Sequence, residues 1–483
     1  MSMGRRRAAQ PSLWVGHEEL PRSPGHRFYE TLNGLLREAD FDRQVEALCA
    51  PLFASDHRPG RRSTTPGTYF RMHLIGYFEG IESERGIEWR CSDSLSLRTF
   101  LGLELTDRVP DHSTLSRLRQ RLPLAVHEQA FALILAVVHE RGLLNGHVLG
   151  VDSTYLRADA SMKAIVRRDT KESYAQFVVR LAEEAGIENP SAAQAQALDR
   201  KRPGKKTSNA EWASATDPEA RIAKLKDGRT RLAYKPEHVV DLETGAITGV
   251  VVHLADRGDT ETLVESLSTA QENLRRLAPA DAPDDDASPD GGMISGGKRD
   301  DPPRPPTAVV ADKGYHKATL LRELKEQGYR TYFPERRQAG RRRWADKGGK
   351  RTAAAFYENR ARVGRAKGKR LQRKRGERLE RTFAHICETG GARRTRLRGR
   401  ENVSKRYLLC AAAANLGLVL RSRWGVGTPR GWAERLRGAV STWVRYGIQW
   451  RLLAIRLRRI LHPSRSPRRS WRTAVPIPML TAA

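Results

Sequence analysis

The first part of the chain, residues 27–140, carries apolar residues at the spacing of amphipathic α-helices. Side chains that recur every three or four positions predict one helix over 69–81 and another over 95–103. Ser94 or Asp93 directly precedes the second helix, where either side chain is a suitable N-terminal cap. We therefore predict a mostly helical N-terminal region.

A short arginine-rich helix is predicted near the end of this region. Pro110 and the polar residues after it end one helix and begin the next, which carries Arg117, Arg119 and Arg121. The segment resembles the last helix of a helix-turn-helix, in which small polar residues and arginines contact phosphates and base edges. A surface helix with solvated arginines shows the same pattern, so both interpretations stay open.

From residue 147 the pattern changes to short apolar runs typical of β-strands. The predicted strands are 147–151, 232–241, 246–254 and 307–311. The turn-forming residues 241–245 make the middle two a β-hairpin, and a helix over 319–327 and a strand over 329–334 follow the last one. Three strands followed by helix and strand alternation are the order that an RNase H-like mixed β-sheet requires. We therefore predict an α/β fold with such a core, preceded by the helical region.

Two polar segments interrupt these strands. The first, at about 159–230, predicts a helix over 172–187 and then a flexible stretch over 189–215. The second, 278–306, combines acidic residues with repeated Pro and Gly and cannot bury enough apolar surface to order itself. We interpret it as a surface loop within the domain.

Composition adds a polyanionic partner to this picture. The 483 residues include 87 Lys and Arg against 56 Asp and Glu, a formal net charge of +31. Cations spread along the whole chain favour nucleic acid, which releases counterions when Lys and Arg bind its phosphates. The four dispersed cysteines indicate neither disulfides nor a zinc ribbon. Without a signal peptide or a spanning apolar stretch, we expect a cytoplasmic, nucleoid-associated protein and no membrane partner.

The C-terminal part begins with helices and ends in a cationic tail. Residues 377–388 are amphipathic, and 407–420 predict a buried helix. The tail, 421–483, has apolar positions at helical spacing among its arginines: Val444, Ile448, Leu452 and Ile455. Binding to a membrane surface produces this pattern, as does packing on the protein with the arginines facing DNA, which we favour.

Three acidic residues occupy positions suited to metal-assisted chemistry. Asp152 and Asp312 each end a short apolar strand, and the carboxyl edge of a sheet is where open α/β folds bind ligands. Glu380 lies on the amphipathic helix. Mg²⁺ prefers oxygen ligands, and acids that bracket two such ions can activate the attacking oxygen and stabilise the leaving oxygen of a phosphodiester. We predict that these three residues are catalytic and bind metal.

Each acid taken alone has a simpler interpretation. Asp152 suits a strand-end cap, and Asp312 begins a sequence typical of a turn. Glu380 competes with Glu377, one helical turn earlier on nearly the same face, and a single helical glutamate is usually solvated beside an arginine. The combination of the three favours the metal site.

Cations beside the proposed ligands are predicted to contact DNA. Lys313 follows Asp312 and Arg381 follows Glu380, so both are placed to hold flanking phosphates. Arg117 and Arg119 belong to the predicted recognition helix. Asp259 is interpreted as a turn residue. No phosphate-binding loop of the ATPase type is present, so ATP dependence is not expected.

Several segments together resemble the bacterial insertion-sequence DDE transposases. The three acidic signatures are Val-Asp-Ser-Thr at 151–154, Ala-Asp-Lys-Gly-Tyr-His at 311–316 and Leu-Glu-Arg-Thr-Phe-Ala-His at 379–385. The accompanying stretches that match are 214–221, 232–235, 258–260, 397–403 and, in the helical region, 71–122 with Val-Pro-Asp-His-Ser-Thr at 109–114. The resemblance covers about residues 60 to 430.

The resemblance implies a fold, a reaction and partners. It implies a helical DNA-binding domain at 1–140, an RNase H-like catalytic domain at 141–420 with insertions, and a basic tail at 421–483. The reaction would be Mg²⁺- or Mn²⁺-dependent cleavage at the ends of a mobile element, followed by joining of the freed 3′ hydroxyl to target DNA. The protein would act on element ends and target as a homo-oligomer. The long separation of the two aspartates and the tail depart from the family pattern.

Two other functions remain open. The first is a catalytically inactive DNA-binding protein derived from a transposase, although retention of all three acids argues against it. The second is a metal-dependent nuclease that cuts DNA without strand transfer.

Overall fold

The computed structural model describes most of the helical region and of the α/β region. The described residues are 24–53, 64–204, 207–225, 227–277, 307–336, 344, 349–435, 437, 438, 449, 450 and 453. By its packing the chain divides into two units, Met1–Pro429 and Arg430–Ala483. The loop predicted at 278–306 and the four apolar tail positions at 444, 448, 452 and 455 lie outside the described residues.

The N-terminal region is helical, as predicted. Its helices are α1 (Pro24–Glu38), α2 (Phe41–Phe53), α3 (Pro66–Phe78), α4 (Glu84–Ser92), α5 (Leu95–Phe100), α6 (His112–Arg121) and α7 (Leu124–Glu140). Ser94 caps α5 by accepting a hydrogen bond from the Leu97 N–H, which confirms one of the two predicted caps. Helix α3 is buried from Tyr69 to Phe78, and it therefore forms the centre of this region rather than its surface.

A seven-stranded mixed sheet follows, and it confirms the predicted RNase H-like core. Its strands are β1 (Val148–Ser153), β2 (Leu156–Arg157), β5 (Arg221–Lys224), β6 (Thr230–Asp241), β7 (Ile247–Leu254), β8 (Ala308–Val310) and β9 (Arg330–Tyr332). The order is β2-β6-β1-β8-β9, with β5 and β7 also paired to β6. Strand β1 is antiparallel to β6 and parallel to β8, and β8 is parallel to β9. Strands β6 and β7 form the predicted hairpin.

The first insertion is more ordered than predicted. It forms β3 (Ile165–Arg167), α8 (Tyr174–Glu184), α9 (Ala192–Lys201) and β4 (Trp212–Ser214), and β3 pairs with β4. The prediction of a flexible stretch over 189–215 is therefore wrong for α9 and β4. Ser191 and Gln194 form a capping box at the start of α9, and Trp212 is 2% exposed beside the rings of Tyr174 and Phe177. Trp212 and these two rings thus form a small aromatic core within the insertion.

Helices cover both faces of the large sheet. They are α10 (Asp259–Arg275), α11 (Ala318–Glu326), α12 (Gly349–Gly364), α13 (Ala366–Ala384) and α14 (Arg400–Trp424). Leu149 and Val151 of β1 pack in the core with residues of α10 and α11. Gly150, between them, faces Leu379 of α13. Alternation along β1 therefore places α13 on the opposite face from α10.

Helix α14 is a core helix that joins the sheet to the N-terminal helices. It packs against α3, α7 and β7, and Leu416 and Leu420 on it are fully buried. It is long and apolar enough to span a membrane, yet 83% of the relevant window is buried inside the protein. The core helix of a folded domain meets the same criterion.

Asn415 attaches α14 to the edge of the sheet. Its side chain accepts a hydrogen bond from the Ile247 N–H and donates one to the Ile247 carbonyl, each at 2.9 Å. Strand β7 pairs with β6 alone among the described strands. One buried amide therefore satisfies both polar groups of a residue that would otherwise be an open strand edge.

Substitution Asn415→Leu should destabilise the protein strongly, because it leaves a buried N–H and a buried carbonyl unpaired. The expected loss is on the order of 3 kcal/mol in the free energy of unfolding. Asn145→Ala is the control, since Asn145 donates to Glu243 at the surface. Urea unfolding followed by circular dichroism compares the two, and equal midpoints for both variants would contradict the role assigned to Asn415.

Candidate active site

Asp152 and Asp312 leave the sheet side by side. Strands β1 and β8 run parallel with Gly150 opposite Val310, and each aspartate follows two residues later on its own chain. Asp312 begins a single 3₁₀ turn, Lys313–Tyr315, and its Oδ1 accepts a hydrogen bond from the Gly314 N–H at 2.6 Å. The structure thus brings together two of the three predicted acids, although a long segment of chain separates them.

The surroundings of Asp152 disfavour its charge. Burial raises its pKa, and the neighbouring Asp312 raises it further, whereas Arg375 lowers it. Nη1 of Arg375 donates to Asp152 Oδ2 at 2.8 Å, and the arginine side chain is 16% exposed. Asp152 therefore carries a carboxylate that a cation stabilises, and in this structure that cation is a guanidinium from α13.

Helix α13 is fixed over the site by close packing. Leu371 packs against Leu242 and Tyr332, and a Cβ atom at Gly150 would lie 2.4 Å from Leu242 and 3.2 Å from Leu379. Gln372 donates to the carbonyls of Ala311 and Tyr332 at the ends of β8 and β9. The absence of a side chain at position 150 thus lets the helix approach the strand that carries Asp152.

Glu380 lies on this helix but stands apart from the aspartate pair. It is exposed. Arg378, two residues earlier, contacts the Glu243 and Thr244 carbonyls at the end of the sheet opposite Asp152. Glu380 lies five residues beyond Arg375, which contacts Asp152, and it is therefore about 7.5 Å farther along the helix and about 140° around its axis. Among the described residues, no three acid, imidazole or thiol side chains form a group that could hold a metal ion.

Asp259, interpreted from sequence as a turn residue, belongs to the same neighbourhood. It is the first residue of α10, and its Oδ1 lies 2.7 Å from Nζ of Lys235 and 3.3 Å from Oγ of Ser153. Lys235 is 3% exposed. The only sign of its importance in the sequence is that Gly258-Asp259-Thr260 is one of the stretches that carry the family resemblance. Spacing alone does not show that the start of α10 meets the ends of β1 and β8.

Of the four predicted phosphate contacts, three side chains are accessible. Lys313 and Arg117 are exposed, and Arg381 is exposed beside Glu377, with which it pairs at 3.2 Å. Arg119 is 7% exposed and bonds to Glu84, Ser116 and Asn402. Contrary to the sequence prediction, Arg119 is therefore an interior residue that holds α6 to α4 and α14, and its guanidinium is not presented to DNA.

The exposed side of α13 is strongly cationic. We call it the α13 basic face, and it consists of five exposed residues, Arg365, Lys367, Lys369, Arg370 and Arg373, and the half-buried Lys374. None of these six pairs with a carboxylate of the described residues. Other exposed arginines do pair, such as Arg180 with Glu184 and Arg276 with Glu272. Like charges at adjacent turns destabilise a helix, so this face indicates a polyanionic partner.

Two histidines near the site are structural. His238 is fully buried, stacks on Phe383 and bonds to Thr382 and Tyr407. Burial lowers its pKa to about 3, so it is neutral under physiological conditions. His385 lies beside Arg421, with 2.8 Å between their nitrogens.

Two family models match the chain. Residues 17–121 match a transposase domain (DUF772), and residues 203–416 match a transposase DDE domain. The second range contains Asp312 and Glu380, whereas Asp152 lies between the two ranges. No curated protein matches the chain.

One solved structure is similar to the chain at a low level. It is the Mos1 transposase paired-end complex with left transposon end, at 9% identity and a TM-score of 0.17. The alignment covers 69% of this chain and 83% of that chain. A TM-score this low does not establish a common fold.

Substitution Arg375→Gln should raise the pKa of Asp152 further, because the cation that lowers it is removed while burial and Asp312 continue to raise it. NMR titration of ¹³C-labelled aspartate carboxyls measures the shift. Arg378→Gln, which loses only contacts to carbonyls at the opposite end of the sheet, is the control and should leave Asp152 unchanged. An unchanged titration in Arg375→Gln would show that the ion pair does not form.

Proposed function

We propose that this chain, a DDE transposase by the two domains it carries, cuts DNA at the ends of an insertion sequence and joins the freed 3′ ends to target DNA. The observation that carries the proposal is the pairing of Asp152 and Asp312 at the carboxyl edge of parallel strands. We propose the division of labour expected from the sequence, with DNA binding by residues 1–140, chemistry by 141–420 and a basic tail beyond.

The donors at this edge fit a hard divalent cation. Both are carboxylates, and the pKa of Asp152 is raised by burial and by Asp312, so a bound cation would relieve the unfavourable charge. We propose that Asp152 and Asp312 hold Mg²⁺ or Mn²⁺. Glu380, which is exposed on α13 and not grouped with the two aspartates in this structure, stays the third ligand that the family resemblance implies. Two such ions would supply Lewis-acid assistance to the attacking and leaving oxygens of an in-line displacement at phosphorus.

The chain's own residues would position the DNA. Lys313 extends from the turn after Asp312, and Arg381 follows Glu380, so each places a cation next to a proposed ligand. The α13 basic face leads along the helix towards Arg375, which contacts Asp152. A phosphate backbone bound along these cations would therefore reach the paired aspartates. Exposed Arg117 on α6 is proposed as a further contact to the element end.

Substitution Asp152→Asn or Asp312→Asn should abolish cleavage and leave DNA binding nearly unchanged, because each replaces a ligand by a neutral amide of the same shape. Cleavage of a donor duplex in Mg²⁺ and binding by fluorescence anisotropy are the two measurements. Cleavage at the wild-type rate by either variant would overturn the proposed function.

Glu380→Gln should share this loss, and Glu377→Gln is its matched control. Glu377 is exposed and pairs with Arg381 on the same helix, and it is not one of the three proposed ligands. A pre-cut duplex with a free 3′ hydroxyl then tests the second half of the proposal. Joined products support transposition, whereas cutting without joining indicates a nuclease.

Neutralising the α13 basic face should weaken DNA binding through its salt dependence. In the triple variant Lys367→Gln, Arg370→Gln and Arg373→Gln, each lost phosphate contact reduces the slope of log affinity against log salt by about 0.9. The control triple variant is Arg180→Gln, Arg276→Gln and Arg393→Gln, which removes the same charge from arginines paired with glutamates. Equal slopes for the two variants would exclude this face as a DNA contact.

A further inference from the structure

Asp259 contacts the chain segments that carry both strand-end aspartates. Its Oδ1 accepts a hydrogen bond from Oγ of Ser153, the residue after Asp152. On its other side lies Gly314, the glycine whose N–H binds Asp312. Three segments that are remote in sequence therefore meet at one carboxylate at the start of α10.

The closeness to Gly314 leaves no room for a side chain there. A Cβ atom at this position would lie 2.4 Å from Oδ2 of Asp259 and 2.8 Å from Oδ1 of Asp312. Gly314 does not have a positive φ, so its backbone conformation does not require glycine. The requirement comes from the two carboxylates, which approach the same α-carbon from different elements.

Buried groups hold Asp259 in this position. Lys235 Nζ lies 2.7 Å from its Oδ1 and also donates to the Arg257 carbonyl and to Thr262. Moving Asp259 away would remove the direct ion-pair partner of this buried ammonium, which is unfavourable. Helix α10 and the turn that follows Asp312 are also joined deeper in the protein, because Thr262 of α10 and Tyr315 of the turn both donate hydrogen bonds to buried Glu237.

We propose that Asp259 is a positioning residue for the reaction, and that with Lys235 it fixes the Asp152 and Asp312 segments relative to each other. This inference rests on the proposed function, because it assigns a role towards the two acids that the proposal makes metal ligands. Substitution of a residue that orients the metal ligands without binding the metal itself commonly lowers metal affinity or activity by about 10- to 100-fold.

An ordinary structural role makes a different prediction. Asp259 lies in the first turn of α10, where a negative charge stabilises the helix dipole. Glu261 is acidic in the same turn and accepts from the Gly258 N–H, but it contacts neither the Ser153 nor the Gly314 segment among the described residues. Glu261→Gln therefore removes the same dipole interaction and serves as the control for Asp259→Asn.

The test compares Asp259→Asn, Gly314→Ala and Glu261→Gln in the full-length protein. Mn²⁺ binding followed by electron paramagnetic resonance and Mg²⁺-dependent cleavage at saturating DNA are measured at a temperature where every variant is folded. Asp259→Asn and Gly314→Ala should each lose about 10- to 100-fold in Mn²⁺ affinity and in cleavage rate. Glu261→Gln should retain both values. The double variant Asp259→Asn with Gly314→Ala should lose no more Mn²⁺ affinity or cleavage rate than the more strongly affected single variant, because both substitutions disrupt the same contact.

The outcomes separate this inference from the function on which it rests. If Asp152→Asn is inactive while Asp259→Asn and Gly314→Ala bind Mn²⁺ and cleave like wild type, the positioning role is wrong and the proposed function stands. A lower unfolding midpoint with unchanged Mn²⁺ affinity would also reject the role. If Asp152→Asn itself cleaves DNA like wild type, the proposed function is wrong, and the positioning role falls with it.

Discussion

The structure depends on one electrostatic conflict, the placement of two aspartates at adjacent ends of parallel strands. Parallel pairing of β1 with β8 puts Asp152 and Asp312 next to each other, and each charge raises the cost of the other. The groups around them reduce this cost separately. Arg375 pairs with Asp152, and the Gly314 N–H binds Asp312. The carboxyl edge of the sheet is therefore a place where negative charge is gathered and then partly compensated.

The two faces of β1 divide the remaining tasks. Leu149 and Val151 bury one face against α10 and α11, which fixes the strand in the sheet. Gly150 opens the other face to α13, and Asp152 is the next residue on that side. Because of this alternation, the helix that contributes Arg375 and the proposed ligand Glu380 reaches the sheet at the strand that ends in an acid. Close packing at Gly150 thus lets α13 stand beside Asp152.

Sequence periodicity was sufficient for the elements but not for their meeting points. Strands β1, β6, β7, β8 and β9, the hairpin at 241–245, the cap at Ser94 and the buried helix that became α14 follow from local spacing, whereas the short strands β2 to β5 were not predicted. Arg119 was misassigned because the arginines of α6 do not reveal which side of the helix packs against Glu84. The stretch over 189–215 was misjudged because small polar residues hide the core around Trp212. The roles of Arg375 and Asp259 were missed because their partners are remote in sequence and come close only in the folded chain.

The segments that carry the family resemblance illustrate the same limit. Asp217, in the stretch 214–221, accepts hydrogen bonds from Tyr234 and from the N–H of Gly399, which belong to two other matching stretches. Asp217, Tyr234 and Gly399, which belong to separate motifs in the sequence, thus form one packed junction. A motif far from the acids can reflect the assembly of the sheet rather than the reaction.

The charges of the site and those of the α13 basic face are compensated in different ways. Within the site two acids have a cationic partner, which is Arg375 for Asp152 and Lys235 for Asp259. A few residues away on the same helix, six cations have none among the described residues. A protein that only needed stability would distribute these charges to pair them. The separation is consistent with two ligands of opposite sign, a cation at the aspartates and a polyanion on the helix. Arg375 stands between them, and a cation at Asp152 would free its guanidinium to face phosphate.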